Sequence, residues 1–313
     1  MTAPPAAGLG ARGRGAWQRV QRSRVWRTFS HFTDVGGNVL SGGMSYQALF
    51  AVFAGLVVGF GVLGIVLRSQ PELLAVLVEQ INVFVPGLLG TEDGVAAVNV
   101  QSLLETPALD WTSLIAAASL IWVSINWFTG TRRSIRIIFG LEVKQYRHAA
   151  LLKARDLALA LMFFLAVIVS VALTIVSSNL SELVLGWIGV SEDNWFFGGL
   201  GVLARYGAMY VFDVLILIAI HRYLAEVRVG WWNLVTGCMI GGAALFGLKM
   251  LGTALLGGAT SNAAIATFAI FVGLLLWFNF ICRVVLLTSS WIATGLDPAL
   301  GAPGAPGGRE LPL

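Results

Sequence analysis

Apolar positions in this chain come in long unbroken runs, and the charged residues collect in the gaps between them. The runs lie at about 43–67, 109–129, 153–177, 200–220, 232–256 and 265–293. Each approaches or exceeds the ~20 residues that a helix needs to cross the hydrocarbon core of a bilayer. Barrel strands would alternate apolar and polar positions, so the runs predict an all-α, polytopic membrane protein with six transmembrane helices. Two other stretches are apolar on one side only. Residues 71–89, PELLAVLVEQINVFVPGLL, are too short and too acidic to span. They predict an external amphipathic helix packed on the bundle or on the outer leaflet. Before the first span, Trp17, Val20, Phe29 and Phe32 recur near helical spacing between arginines. That pattern fits an interfacial helix on the cytoplasmic leaflet, and it fits a disordered basic arm as well.

The division that follows is a basic arm over 1–39, a six-helix domain over 40–295 and a disordered Gly/Pro-rich tail over 296–313. Charge then gives an orientation. Arg12, Arg14, Arg19, Arg22, Arg24 and Arg27 precede the first span, and Arg132, Arg133, Arg136, Lys144, Arg147, Lys153 and Arg155 lie between the second and third. Arg222 and Arg228 follow the fourth. The alternate loops are acidic, with Glu72, Glu79, Glu92, Asp93, Glu105 and Asp110 in one and Glu182, Glu192 and Asp193 in another. With six spans every basic segment falls on one side, and the positive-inside rule places both termini in the cytoplasm.

Composition narrows the class. The chain is 57% hydrophobic and 12% charged, against about 25% charged in an average soluble domain. The formal charge of +4 sits beside apolar spans. It therefore predicts anionic lipid headgroups at the cytoplasmic face as partners, and no nucleic acid. No cleavable signal peptide is expected, because the first apolar run is too long for one. Cys238 and Cys282 fall inside apolar runs and read as small packing residues, with neither a disulfide framework nor metal-ligand spacing.

Asp213, Lys249 and Arg283 lie well inside predicted spans, where each costs about 2.5–3.5 kcal/mol on insertion scales. At 1.5 Å per residue, Asp213 and Arg283 sit about 12 and 15 Å from the cytoplasmic end of their spans, and Lys249 about 25 Å. Those depths predict an Asp213–Arg283 pair, with Lys249 snorkelling outward or lining an outer cavity. Asn279, one turn from Arg283, would line the same polar path. The other reading is a structural ion pair plus one snorkelling lysine. Asn126 and Asn262 read as interhelical hydrogen-bonding residues. Gly55 and Gly59, and Gly237 and Gly241, form GxxxG pairs that serve packing within the monomer or a homo-oligomer interface.

Enzyme signatures are weak. His31, His148 and His221 have no metal-ligand spacing, and no HExxH, GxSxG, phosphate-binding loop or paired-carboxylate motif occurs. No catalytic residue, metal or cofactor is expected, and Asn179–Leu180–Ser181 reads as an incidental sequon.

The runs HRYLAEVRVGWWNLVTGCMIGGAALFGLKMLG and SNAAIATFAIFVGLLLWFNFICRVVLLTSSWIA resemble the YihY/BrkB family of bacterial inner-membrane proteins. Leu275, Leu276 and Trp277 supply that family's LLW segment, and SGGMSYQALFAVFAGLVVG looks like its first helix. The likeness covers about residues 28–295. The chain departs from the family by lacking a proline in the first helix. It also has Ser289, Ser290 and Trp291 where many members have Gly-Ala-Glu. The resemblance implies a multi-pass protein of the bacterial cytoplasmic membrane and carries no catalytic residue over. Some members were long labelled a tRNA-processing ribonuclease, a chemistry that needs a metal cluster or an acid–base pair in a soluble cleft. The reading that follows is a transporter or flippase-like protein for a lipidic or anionic substrate. The alternative is a non-catalytic scaffold for envelope assembly.

Overall fold

The computed structural model describes residues 20–85, 88–90, 96–105, 111–141, 151–159, 161–162, 165, 195–256, 263–297 and 299–300. Most of the third predicted span, the basic loop residues Lys144 and Arg147, Trp17, His148, Asn262, the sequon and the tail past residue 300 lie outside them.

Among the described residues the chain is almost wholly helical. Helix α1 (Arg24–Asp34) starts at Ser23, whose hydroxyl accepts the Trp26 N–H at 3.2 Å. It turns into α2 (Gly37–Ser69) through Gly36 at φ 76°, a left-handed conformation that suits glycine. Gly37 follows with Phe32 folded over it, and a β-carbon there would lie 2.3 Å from the Phe32 ring. Helix α3 (Pro71–Phe84) opens on Pro71, with Glu72 in the first turn, a favourable N-terminus. A short parallel pair, β1 (Leu89–Gly90) on β2 (Val98–Asn99), leads into α4 (Val100–Glu105). Helix α5 (Trp111–Ile138) follows, then a helical segment over 151–159. Helix α6 (Trp195–Ala219) continues as a π-helical turn, Ile220–Leu224, and α7 (Trp231–Leu256) and α8 (Ala263–Leu296) complete the order.

Among the described residues four stretches are long and apolar enough to cross a membrane: Gly37–Gly61, Tyr206–Leu224, Trp231–Gly252 and Phe271–Leu296. They match the first, fourth, fifth and sixth predicted spans. Helix α5 covers the second and runs nine residues past its predicted end at 129. The extension keeps the helical period: Ile135, Ile138 and Phe139 are fully buried while Arg133 is exposed.

Among the described residues two hydrophobic clusters hold the bundle. One joins α6, α7, α8 and the C-terminal end of α5 around Ile138, Leu217, Leu234 and Leu286. The other joins α2, α8 and the α3–α4 region around Leu67, Leu88, Leu104 and Trp277. Helix α3 is amphipathic, as expected for 71–89. Leu73, Leu74, Leu77, Val78 and Ile81 pack on the second cluster. Asn82 then clamps the following turn, donating to the Leu89 carbonyl at 2.8 Å and accepting its N–H at 3.0 Å.

The arm helix is docked on the protein. Arg24 donates to the Trp291 carbonyl at 2.9 Å and lies 4.4 Å from its ring centroid. The Thr28 and Thr294 hydroxyls meet at 3.1 Å, Ser290 donates to the Thr28 carbonyl, and His31 meets the Ile138 carbonyl at 2.8 Å. Phe32 is buried, while Val25 and Phe29 face outward. Arg136 and Arg155 both reach the loop after the π-turn. These contacts gather the described basic segments at one end of the bundle.

Candidate functional site

Helices α6 and α7 run antiparallel, and a side chain leans toward the N-terminus of its own helix. Asp213 on α6 and Lys249 on α7 therefore lean toward each other. The Lys249 ammonium donates to Asp213 Oδ1 at 2.6 Å, and both side chains are almost fully buried. This corrects the expected Asp213–Arg283 pair and the outward-snorkelling Lys249. Counting residues from span ends gave the heights of α-carbons and left out the lean, which closes the gap. Helices α6 and α8 run the same way, so Asp213 and Arg283 lean in the same direction. Arg283 is half-buried, and its Nε has no hydrogen-bond partner among the described residues. Asp213 Oδ2 is also buried and without one.

Glycine brings α7 close enough for this. A β-carbon on Gly242 would stand 2.6 Å from Val214, one residue beyond Asp213. On the α8 side Gly237 faces Ile292, Gly241 faces Thr288 and Gly252 faces Trp277. The three contacts share one antiparallel register, and that register sets Lys249 at the height of Phe280, between Asn279 and Arg283. The structure thus pairs Asp213 with Lys249 and brings Asn279 and Arg283 to nearly the same height on the next helix. Gly237 and Gly241 are used within the chain. Gly55 is exposed with open space beside it, and Gly59 is buried.

A second buried pair escaped sequence reasoning. Arg132, on the extension of α5, donates to Asp156 Oδ1 at 3.0 Å, and the Thr129 hydroxyl lies 2.7 Å from Oδ2. Asp156 is fully buried and Arg132 nearly so. Beside them Lys153 donates to Asn126, the interhelical role expected of that asparagine, and its ammonium lies 4.8 Å from the Trp122 ring centroid. The available signal was the apolar period of Ile135, Ile138 and Phe139, which puts Arg132 on a helix rather than in a loop.

His221 is fully buried, 2.7 Å from the Leu217 carbonyl through Nδ1 and 2.8 Å from Ser289 Oγ through Nε2. Ser289 and Ser290 thus bind the π-turn and α1 to the end of α8. Both cysteines are free and buried. Among the described residues no three His, Cys, Asp or Glu side chains are grouped to hold a metal ion.

The sequence matches the family described as virulence factor BrkB over residues 28–299. It is 22% identical over 290 residues to inner membrane protein YhjD of Escherichia coli (strain K12), covering 88% of this chain and 83% of that protein. It is 24% identical over 281 residues to an uncharacterised protein of Dickeya dadantii (strain 3937), covering 87% and 82%. No solved structure matches significantly.

Proposed function

The chain belongs to the BrkB family of membrane proteins, and from that premise we propose that it moves a lipidic or anionic substrate across the bacterial cytoplasmic membrane. In this reading six helices span the bilayer and both termini lie in the cytoplasm. The docked basic segments then face anionic headgroups. The polar path runs past Asp213 and Lys249 between α6 and α7, toward Asn279 and Arg283 on α8.

The observation that carries the reading is the incompleteness of the buried pair. Lys249 satisfies Asp213 Oδ1, while Asp213 Oδ2 and Arg283 Nε are buried with no partner among the described residues. A purely structural pair repays its desolvation only when the remaining polar atoms are bonded too. Open polar atoms of both signs inside apolar helices suit a site that a polar substrate group visits.

The experiment is lipid translocation in proteoliposomes that contain this protein alone. Transfer of a labelled anionic phospholipid above the protein-free rate, lost in a folded Asp213→Asn variant, supports the reading. No transfer of any common anionic lipid contradicts it and favours a scaffold for envelope assembly, for which the docked α1 and the α3–α4 region offer surfaces outside the spans.

A further inference from the structure

The basic end contains a cleft that the path through the bundle does not use. Its walls are Arg155, Arg222, Tyr223, Glu226, Arg228, Val229 and Gly230, around a space of about 550 Å³. The backbone there is unusual and firmly held. Helix α6 ends in the π-turn, where the Ala225 N–H reaches back to the Ile220 carbonyl and the Val227 N–H to that of His221. The turn is pinned from below by buried His221, which leaves Arg222 and Tyr223 exposed on the cleft side. Glu226 follows at φ 55°, a conformation that costs a non-glycine residue about 1–2 kcal/mol. Arg155 from the 151–159 segment pairs with Glu226 and donates to the Tyr223 carbonyl, and Arg136 donates to that of Ala225 at 3.4 Å. A π-turn and a strained non-glycine residue side by side are features that gather at functional sites.

The charges point to the ligand. Among the described residues that line it, three arginines face a single carboxylate. Arg155 is engaged by Glu226, while Arg222 and Arg228 are exposed and have no ion pair among the described residues. Guanidinium groups bind phosphate oxygens through two parallel N–H donors. Trp231 and Trp232 stand exposed at the start of α7, just past the cleft, with Tyr223 exposed on its wall. Exposed tryptophan and tyrosine at a helix end mark headgroup depth in a membrane protein.

We propose that this cleft binds a phosphate group at headgroup depth, with Arg222 and Arg228 as its ligands, Arg155 recruited from Glu226, and an anionic phospholipid as the source. The site is independent of the transport reading, since a protein that holds a headgroup without moving it would still use it.

Native mass spectrometry of the full chain, released from nanodiscs of phosphatidylglycerol and phosphatidylcholine, tests this by counting retained lipids. Wild type should keep phosphatidylglycerol in preference to phosphatidylcholine. Arg222→Gln with Arg228→Gln should cut that retention about 10-fold, because charge-assisted bonds are lost. Arg133→Gln removes an exposed charge at the same end and outside the cleft, and should leave retention unchanged. Glu226→Gln frees Arg155 and should raise it. Inorganic phosphate is then titrated in phosphatidylcholine discs. Binding sensitive to the same two arginines makes free phosphate an alternative source for the same site, and no binding makes the lipid the source. Equal retention of the two lipids by wild type overturns the proposal, and so does an equal loss in Arg133→Gln. Retention without translocation counts against the transport reading alone, and translocation without selective retention counts against the cleft alone.

Discussion

Among the described residues two buried ion pairs sit at different places and in different states of completion. Arg132–Asp156, at the basic end, uses both carboxylate oxygens, one on the guanidinium and one on the Thr129 hydroxyl. Asp213–Lys249, inside the apolar bundle, uses one, and the other has no hydrogen-bond partner among the described residues. The closed pair is a fastener, joining α5 to the 151–159 segment. The open pair retains polar capacity inside apolar helices, so it is the one assigned to the substrate path.

Breaking the closed pair should have the largest effect on stability. Arg132→Met strands a fully buried carboxylate, and removing one partner of a buried pair costs about 3–5 kcal/mol. Thermal unfolding in detergent should show a marked fall in Tm, largely recovered when Asp156→Leu is added. An unchanged Tm would mean that the pair holds nothing together.

Next in size is the packing that delivers Lys249. In Gly241→Ala the new methyl would lie 2.1 Å from Thr288 Oγ1 and 3.0 Å from both Thr288 Cγ2 and Leu217 Cδ1. Thr288 is a short, β-branched side chain with few rotamers in a helix, so α7 is expected to shift, at about 1–3 kcal/mol. Tm and translocation should fall together, since the shift draws Lys249 from Asp213. A drop in Tm with translocation intact would separate that packing from the path.

Neutralising the open pair should affect stability little. Neutralising both members together strands no buried charge, so Asp213→Asn with Lys249→Gln should keep the unfolding free energy within about 1 kcal/mol of wild type while losing transport. The smallest effect belongs to Gly55→Ala. Apart from its chain neighbours and its own helix backbone, nothing lies within 4 Å of the added carbon, and such surface changes stay within about 0.5 kcal/mol. A large loss there would reveal an interface that uses Gly55, such as a homo-oligomer contact.

The same contrast explains what was legible in the sequence. Long apolar runs dictate helices, because a backbone without water must bond to itself. The helices containing Gly37–Gly61, Tyr206–Leu224, Trp231–Gly252 and Phe271–Leu296 therefore appear where the runs predicted them. Asp213, Lys249 and Arg283 were conspicuous because charge is rare in such runs. Which two would pair was not legible, because pairing depends on side-chain lean and on glycine contacts across helices. Asp156 was hidden differently. It stands among arginines at a span boundary, where charge is ordinary, and only the continued period of α5 marks Arg132 as helical. The π-turn and the left-handed Glu226 leave no trace in hydropathy, since both are set by the contacts around them.

The most direct test compares translocation of a labelled anionic phospholipid by two neutralised proteins in the same vesicles. One carries Asp213→Asn with Lys249→Gln, the other Arg132→Met with Asp156→Leu, and both are first shown to be folded. Transport near the wild-type rate is expected from the second and a loss of at least about 10-fold, or 1.4 kcal/mol, from the first. Transport retained by the first would contradict this and make both pairs fasteners.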